Sequence, residues 1–355
     1  HLKIIVAGPI STSDQKWDSN IVHAILKGEY EKNVMKVLAG ENGVLNHDLL
    51  TKDEMNSAPF PYYDKMIYDK YFDGNPIPMH KLHPQAHIWS SRGCPFKCIF
   101  CEQGELKFRG RSAENVLEEL QLCYEKYGIR EFDMFDSSFT INKKRVLEVC
   151  QAIIDSGLKV HWAVRSRVDC MNEEMLVMLA RAGCNRVYYG IESGNACILK
   201  TLKKDTNFDR MRKTIALTKK VGIDTFGYFM VGSPGETPET AQQTIDFSKT
   251  LDLDYAQFSK VTPMPATQLY ALYLQEFKED YWKDYIKNPT SQIAIPRPGC
   301  NMTDQEIQEL CHKAYMEFYY RPSYVLRALG RVKSFEELWR SFKVAFEMRF
   351  LQESH

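Results

Sequence analysis

The central part of the chain alternates short apolar runs with longer amphipathic stretches. Runs rich in β-branched and aromatic residues predict strands, and stretches whose apolar residues recur every three or four positions predict helices. The run His87-Ile88-Trp89 is the first predicted strand of this region. The later predicted strands span residues 131–136, 158–164, 185–190, 225–231 and 255–261. Strand and helix therefore alternate between residues 86 and 275.

Capping residues mark the starts of the intervening helices. Ser112 is placed to cap a helix that runs to about residue 127, and Asn172 precedes two glutamates that oppose the helix dipole. Thr237 and Pro238 form a cap and a first-turn proline. Strands that alternate with helices pair in parallel through right-handed crossovers. The pattern predicts an α/β fold, and it leaves both a doubly wound sheet and a barrel open.

Two shorter regions precede this alternation. A β-branched run over residues 2–7 ends at Gly8-Pro9, and an apolar run over residues 21–26 leads into Gly28-Glu29-Tyr30-Glu31 and a helix. These elements predict a small α/β unit in residues 1–45. Residues 46–85 are predicted to be a linker, because prolines cluster among residues of mixed polarity at 58–64.

The last region, residues 276–355, is predicted to be a helical domain. Thr303 with Glu306 and Ser334 with Glu337 are capping boxes, which predict helices near residues 304–319 and 335–350. The aromatic residues of this region are predicted to form core.

Charge and composition exclude several classes of function. The 355 residues carry 46 basic and 46 acidic side chains, so nothing predicts binding to nucleic acid or to an anionic membrane. No run reaches the ~18 apolar residues of a membrane span, and no signal peptide is recognisable. Ten cysteines scattered over this length do not predict a disulfide framework. We therefore expect a reducing, cytoplasmic environment.

Cys94, Cys98 and Cys101 directly follow the first predicted strand of the alternating region. Thiolates close together on one loop bind soft metals or iron–sulfur clusters. A structural zinc site normally needs four protein ligands, and the next cysteine, Cys123, lies in a predicted helix. Three thiolates would fill three corners of a cubane cluster and leave one iron open. A zinc knuckle completed by a histidine is the alternative.

This spacing, with Phe100 directly before the third cysteine, resembles the radical S-adenosylmethionine (radical SAM) superfamily. The resemblance implies a [4Fe–4S] cluster whose open iron binds SAM and cleaves it to methionine and a 5′-deoxyadenosyl radical. It also implies an electron donor such as flavodoxin or ferredoxin, and it places Phe100 on the adenine side of SAM. Between the two parallel folds it selects a partial (β/α)6 TIM-like barrel, with its chemistry at the C-terminal strand ends.

The resemblance continues at the ends of later strands. It implies that Asp136 binds the SAM amino group and that Glu192 and Ser193, in a Gly-Ile-Glu-Ser-Gly stretch, lie near SAM. It places Gly232 against the adenine. The competing interpretations are a helix-capping or loop-capping role for Asp136 and a buried structural carboxylate for Glu192.

The third predicted strand contributes two arginines. Side chains alternate along a strand, so Trp162 and Val164 are predicted to face the helices, with Arg165 and Arg167 on the opposite, lumen face. Guanidinium groups there are suited to hold a carboxylate in bidentate fashion. We expect one of the two to bind the SAM carboxylate or the substrate, and a surface salt bridge is the alternative for each.

The N-terminal unit resembles the last portion of a cobalamin-binding Rossmann-like domain. The resemblance rests on Gly8-Pro9, on Gly28-Glu29-Tyr30-Glu31 and on the proline-rich linker before the cysteines. The Asp-x-His-x-x-Gly loop that ligates cobalt in some cobalamin proteins is absent from the sequence.

Three functions compete at this stage. The first is a cobalamin-dependent radical SAM methyltransferase acting on an unactivated carbon. The second is a cobalamin-independent radical SAM enzyme that catalyses rearrangement, cyclisation or C–C bond formation. The third is a non-enzymatic iron–sulfur electron carrier or sensor. The sequence leaves the substrate open among peptides, lipids and small metabolites, and it identifies no catalytic residue beyond the cofactor ligands.

Overall fold

The computed structural model describes residues 4–7, 18–46, 49–65, 82, 84–104, 106–204, 206–288, 295–331 and 339. The strands are β1 (Ile4–Ala7), β2 (Val22–Leu26), β3 (Gly43–Leu45), β4 (Gln85–Ile88), β5 (Ser91–Arg92), β6 (Arg109–Gly110), β7 (Glu131–Met134), β8 (His161–Arg167), β9 (Cys184–Glu192), β10 (Asp224–Val231) and β11 (Tyr255–Lys260). The helices are α1 (Glu31–Leu38), α2 (Lys52–Ser57), α3 (Ala113–Tyr127), α4 (Lys143–Ser156), α5 (Glu173–Arg181), α6 (Ala196–Thr201), α7 (Phe208–Lys220), α8 (Pro238–Thr250), α9 (Gln268–Phe277), α10 (Tyr281–Lys287), α11 (Asp304–Tyr319) and α12 (Pro322–Arg331).

A six-stranded parallel sheet organises the molecule. Its order is β11-β10-β9-β8-β7-β4, so each strand lies beside the strand that follows it in the alternating region. Within the described residues no pairing joins β4 to β11, and the sheet is therefore an open, partial barrel. The predicted α/β alternation and parallel pairing are confirmed.

Local sequence determines where the helices begin. Side chains of Ser112, Asn142 and Asn172 each accept a hydrogen bond from a backbone N–H in the first turn of α3, α4 and α5. The capping box at Thr303 and Glu306 starts α11, as its spacing predicts. Gly8-Pro9 lies outside the described residues, and so does the predicted helix at 335–350 apart from residue 339.

The two faces of β8 are covered as the alternation predicts. Trp162 and Val164 are fully buried in the main core, and the Trp162 indole donates a hydrogen bond to the Ala182 carbonyl at 2.8 Å. Ala163 packs on the opposite face with Tyr188 and Phe226. The lumen face therefore has a small aromatic cluster of its own.

The observed third strand starts later than the predicted one. Gly157 ends α4 in the left-handed conformation with φ 70°. Strand β8 begins to pair with β7 only at His161, which lies opposite Glu131. The strand then continues through Arg167, because β9 lies alongside up to Gly190. This shift places both arginines inside the strand.

The flanking regions also contain elements that the sequence did not predict. Strands β1 and β2 lie in the predicted apolar runs, but β3, which pairs in parallel with β2, was not predicted, and α2 lies within the predicted linker. Helices α6, α9, α10 and α12 were not predicted either, nor was the antiparallel hairpin of β5 and β6. The domain boundaries at 45, 85 and 275 stay a prediction. None of the helices described here has the length and apolarity to span a bilayer.

Candidate functional site

The cysteine loop lies between β5 and β6, just after the C-terminal end of β4. Gly93 enables its tight start, because a Cβ there would lie 2.3 Å from the Lys107 carbonyl oxygen and its φ is 78°. The middle of the loop is anchored by backbone hydrogen bonds of Ile99 to Leu202 and Leu269, at 3.3 and 2.8 Å. Ile99 is buried, and Phe100 packs against the same apolar cluster. The loop therefore has a fixed path.

The three thiols fit a multi-iron cluster. Burial raises the pKa of both Cys94 and Cys101, and the thiol of Cys98 adds to this effect in each case, so the three sulfurs lie close enough to interact. Within the part of the chain that the structure describes, no three Cys, His, Asp or Glu side chains gather around a single metal position. A [4Fe–4S] cluster offers each thiolate a different iron. Ligation of such a cluster by Cys94, Cys98 and Cys101 stays a prediction.

Asp136 holds the stem of the cysteine loop. Its two oxygens accept hydrogen bonds from the backbone N–H and the hydroxyl of both Ser90 and Ser91, at 2.6–2.9 Å. The buried Arg145 guanidinium also donates to the carbonyl and hydroxyl of Ser90, each at 2.7 Å. Binding of the SAM amino group by Asp136 stays a prediction, and the geometry favours the structural role because both of its oxygens are engaged.

The two arginines of β8 have different neighbours. Arg165 forms a bidentate pair with Asp133 at 2.6 and 3.0 Å and stacks 3.9 Å above the Phe135 ring. It lies on the lumen face of β8, two residues before Arg167 on the same face. Its side chain is one-fifth exposed, and binding of a ligand carboxylate by Arg165 stays a prediction.

Arg167 lies at the cysteine loop. It forms a bidentate pair with Asp169 at 2.9 and 2.7 Å, and it stacks 3.9 Å above Phe96. Its remaining terminal nitrogen, Nη1, donates to the sulfur of Cys98 at 3.5 Å. The guanidinium therefore links the third strand directly to a proposed cluster ligand.

Glu192 ends β9 in an unusual conformation. Its φ is 68°, a left-handed value that costs free energy for a residue with a side chain. Its carboxylate pairs with Lys204 at 2.6 Å, and both side chains are at least nine-tenths buried. Gly190 lies directly beneath, where a Cβ would be 2.4 Å from the Glu192 carboxylate. Sequence inspection missed Lys204, because it lies twelve positions from Glu192 and belongs to no short motif.

Ser193 and Gly232 lie at neighbouring strand ends, as predicted. The buried Ser193 hydroxyl contacts Thr244 at 3.0 Å. The backbone N–H of Gly232 donates to the Glu236 carboxylate at 2.6 Å, and the N–H of Ser233 donates to the same oxygen. Burial raises the pKa of Glu236 to about 7. The sequence contained this glutamate in the glycine-containing stretch but gave no sign that it closes the turn.

Together these features define a class of protein: a parallel α/β half-barrel with an anchored three-cysteine loop at its C-terminal edge. Residues 90–248 match the model of the radical SAM superfamily. The chain therefore carries a radical SAM domain over residues 90–248.

Curated proteins with similar sequences are named as methyltransferases. The chain is 34% identical over 316 residues to an uncharacterized methyltransferase of Pyrococcus horikoshii, an alignment that covers 86% of this chain and 66% of the relative. It is 28% identical over 292 residues to the cytidylyl-2-hydroxyethylphosphonate methyltransferase of Streptomyces wedmorensis, covering 78% of this chain and 54% of the relative. The chain thus spans less than two thirds of the length of these relatives.

Solved structures share the fold. The cobalamin-dependent S-adenosylmethionine radical enzyme OxsB, with aqua-cobalamin and S-adenosylmethionine bound, superposes with a TM-score of 0.53 at 17% identity, covering 74% of this chain and 45% of OxsB. The radical S-adenosylmethionine methyltransferase TsrM of Kitasatospora setae superposes with a TM-score of 0.50 at 22% identity, covering 53% of this chain and 37% of TsrM. The observed sheet is thus the sheet of radical SAM barrels.

Proposed function

We propose that this protein is a radical SAM methyltransferase that uses cobalamin and acts on an unactivated carbon. The observation that carries the proposal is the loop of Cys94, Cys98 and Cys101, anchored at the C-terminal edge of a parallel half-barrel in a chain that carries a radical SAM domain. When bound, a [4Fe–4S] cluster supplies the electron that cleaves SAM to methionine and a 5′-deoxyadenosyl radical, and cobalamin supplies the methyl group.

The residues of this chain then have distinct tasks. The three cysteines hold the cluster, and the apolar packing of Ile99 and Phe100 keeps water away from one side of the loop. Glu192 and Ser193, with Gly232 directly after the next strand, border the place where SAM would lie. The positive φ of Glu192 and its pair with Lys204 fix the carboxylate in one position.

Methyl transfer is supported by the relatives and by the N-terminal strands. Both relatives described above are named methyltransferases, and the two solved structures are cobalamin-dependent or have cobalamin bound. The parallel sheet of β1, β2 and β3 agrees with the proposed remnant of a Rossmann-like domain in residues 1–45.

A second candidate is cyclisation by a radical SAM enzyme. It is favoured by 32% identity over 214 residues to the anaerobic magnesium-protoporphyrin IX monomethyl ester cyclase of Rubrivivax gelatinosus, although the alignment covers 59% of this chain and 38% of the cyclase. In either case we propose a cytoplasmic enzyme that receives electrons from a flavodoxin or ferredoxin.

Product analysis separates the two candidates. The anaerobically purified protein is supplied with cobalamin, reductant, a cell extract as the source of the acceptor, and SAM that carries a deuterated methyl group. A methyltransferase of this type yields S-adenosylhomocysteine and 5′-deoxyadenosine together, with deuterium in the product. Formation of 5′-deoxyadenosine without any S-adenosylhomocysteine would replace the first candidate by the second.

A further inference from the structure

Arg167 contacts a proposed cluster ligand with the one part of its guanidinium that is not committed elsewhere. Nε and Nη2 are bonded to Asp169, at 2.9 and 2.7 Å, while Nη1 donates to the Cys98 sulfur at 3.5 Å. The whole residue is 6% exposed. Three of its five N–H donors are thus engaged, and the fork formed by Nε and Nη2 is taken by Asp169.

We propose that Arg167 is a positioning residue for the iron–sulfur cluster, which holds Cys98 in place and raises the reduction potential of the cluster. The inference rests on the proposed function, because it requires that Cys98 ligates the cluster. It replaces the expectation that Arg167 binds the SAM carboxylate or the substrate.

The direction of the effect follows from charge. Reduction adds an electron to the cluster, and this negative charge is shared by the ligand sulfurs. A hydrogen bond from a cation to one of these sulfurs stabilises the reduced state more than the oxidised state, so it raises the potential. Arginine suits this task because it stays protonated under all working conditions.

The surroundings keep the guanidinium in place. Asp169 fixes its plane through two bonds, and the Phe96 ring lies 3.9 Å from its central carbon on the same loop as the cysteines. Both contacts restrict the arginine to the orientation in which Nη1 faces the sulfur. The cysteine loop and β8 are thereby coupled through one side chain.

The chain contains a matched control on the same strand. Arg165 occupies the same face of β8, forms a bidentate pair with Asp133 and stacks 3.9 Å above Phe135. The two arginines thus lie on the same face of the same strand, and each pairs with an aspartate of its own and stacks on an aromatic ring of its own. Among the described residues Arg165 has no hydrogen bond to a cysteine sulfur, so its removal tests the loss of an arginine without the loss of the sulfur contact.

The experiment is a redox titration of the reconstituted cluster, followed by electron paramagnetic resonance in the absence of SAM. In Arg167→Met we expect the ratio of reduced to oxidised cluster at a fixed potential to fall about tenfold, which equals about 59 mV for one electron. Arg167→Lys keeps the charge but lacks the planar fork, so we expect a smaller shift in the same direction. Arg165→Met and Arg165→Lys should keep the wild-type potential.

The outcomes separate the inference from the proposed function. If Arg167→Met holds a full cluster at the wild-type potential, or shifts no more than Arg165→Met, the inference is wrong. If Arg167→Met takes up no iron, the comparison of Arg167→Lys with Arg165→Lys tests the inference instead. Equal cluster potentials in these two variants would overturn it. A wild-type protein that takes up no four-iron cluster would instead overturn the proposed function.

Discussion

Glu29 joins the N-terminal unit to the stem of the cysteine loop, and its replacement by glutamine should destabilise the protein. The Glu29 carboxylate pairs with both terminal nitrogens of Arg109, on β6, and accepts a hydrogen bond from the Leu50 backbone at 2.7 Å. Arg109 is paired across the hairpin with Arg92, which lies 3.7 Å from the same carboxylate. Glu31 also pairs with Arg92, so two carboxylates face the two arginines at the base of the loop, and Glu29 is the partner of Arg109.

The burial of the pair determines the size of the effect. The side chains of Glu29 and Arg109 are 15% and 8% exposed. Removing one partner of a buried ion pair costs about 3–5 kcal/mol, because the other charge stays buried without compensation. Glutamine keeps one acceptor oxygen for Arg109 or Leu50, so we expect a loss near the lower end, about 3 kcal/mol.

The effect should also depend on pH. Burial works against ionisation of Glu29, but the hydrogen bonds from Arg109 and Leu50 lower its pKa below the ordinary 4.5. A carboxyl group whose pKa is lowered by folding stabilises the protein above its unfolded pKa, and this contribution is lost as the pH falls through the folded pKa. The difference between wild type and Glu29→Gln should therefore be full at pH 7 and shrink below pH 4.5.

The assay is urea unfolding at pH 7 and at acidic pH. Glu174→Gln is the matched control, because Glu174 and its partner Lys143 are 58% and 52% exposed. An exposed pair contributes about 0–1 kcal/mol, so this variant should hardly move the midpoint. Equal shifts in the two variants, or a Glu29→Gln effect that is the same at both pH values, would refute the reasoning.

Two further predictions concern the strand ends. Gly190→Ala should destabilise the protein by about 1–3 kcal/mol, because the new Cβ would lie 2.4 Å from the Glu192 carboxylate and 2.6 Å from Lys204. Gly330→Ala is the control, because its new Cβ meets no atom within 4 Å and should not destabilise the protein. Equal urea midpoints for the two variants would contradict the prediction. Burial raises the Glu236 pKa from 4.5 to about 7. The folded protein therefore binds an extra proton between these pH values, and the free energy of unfolding of the wild type should fall as the pH rises from 4.5 to 7. At 1.36 kcal/mol per pKa unit the fall is roughly 3 kcal/mol. Glu236→Gln should remove it from a pH series of unfolding free energies, and a variant with the wild-type slope would show that Glu236 is not the group responsible.

The sequence predicted what depends on neighbouring residues. The caps at Ser112 and Asn172 act within their own first turns, so these helix starts could be predicted from a few adjacent positions. The alternation of strands and helices gave the parallel sheet for the same reason. The spacing of the cysteines was likewise a local signal.

Contacts between distant segments could not be predicted. The bonds from Ser90 to Asp136 join positions 46 apart, and no local pattern at Asp136 indicates that both of its oxygens are engaged. The pair of Glu29 and Arg109 spans 80 positions, and it forms only because the hairpin of β5 and β6 folds beside the N-terminal unit. Such pairings depend on the tertiary fold, which determines the partners of buried charges.

The measurement that tests the central claim most directly is the iron content of anaerobically reconstituted cysteine variants, together with the formation of 5′-deoxyadenosine from SAM. The account predicts about four irons per chain in the wild type, from the stoichiometry of a cubane, and loss of both iron and SAM cleavage in Cys94→Ala, Cys98→Ala and Cys101→Ala. Cys197→Ala is the control, because Cys197 is an exposed thiol on α6 and should leave both unchanged. Full iron content and SAM cleavage in Cys98→Ala would contradict the account.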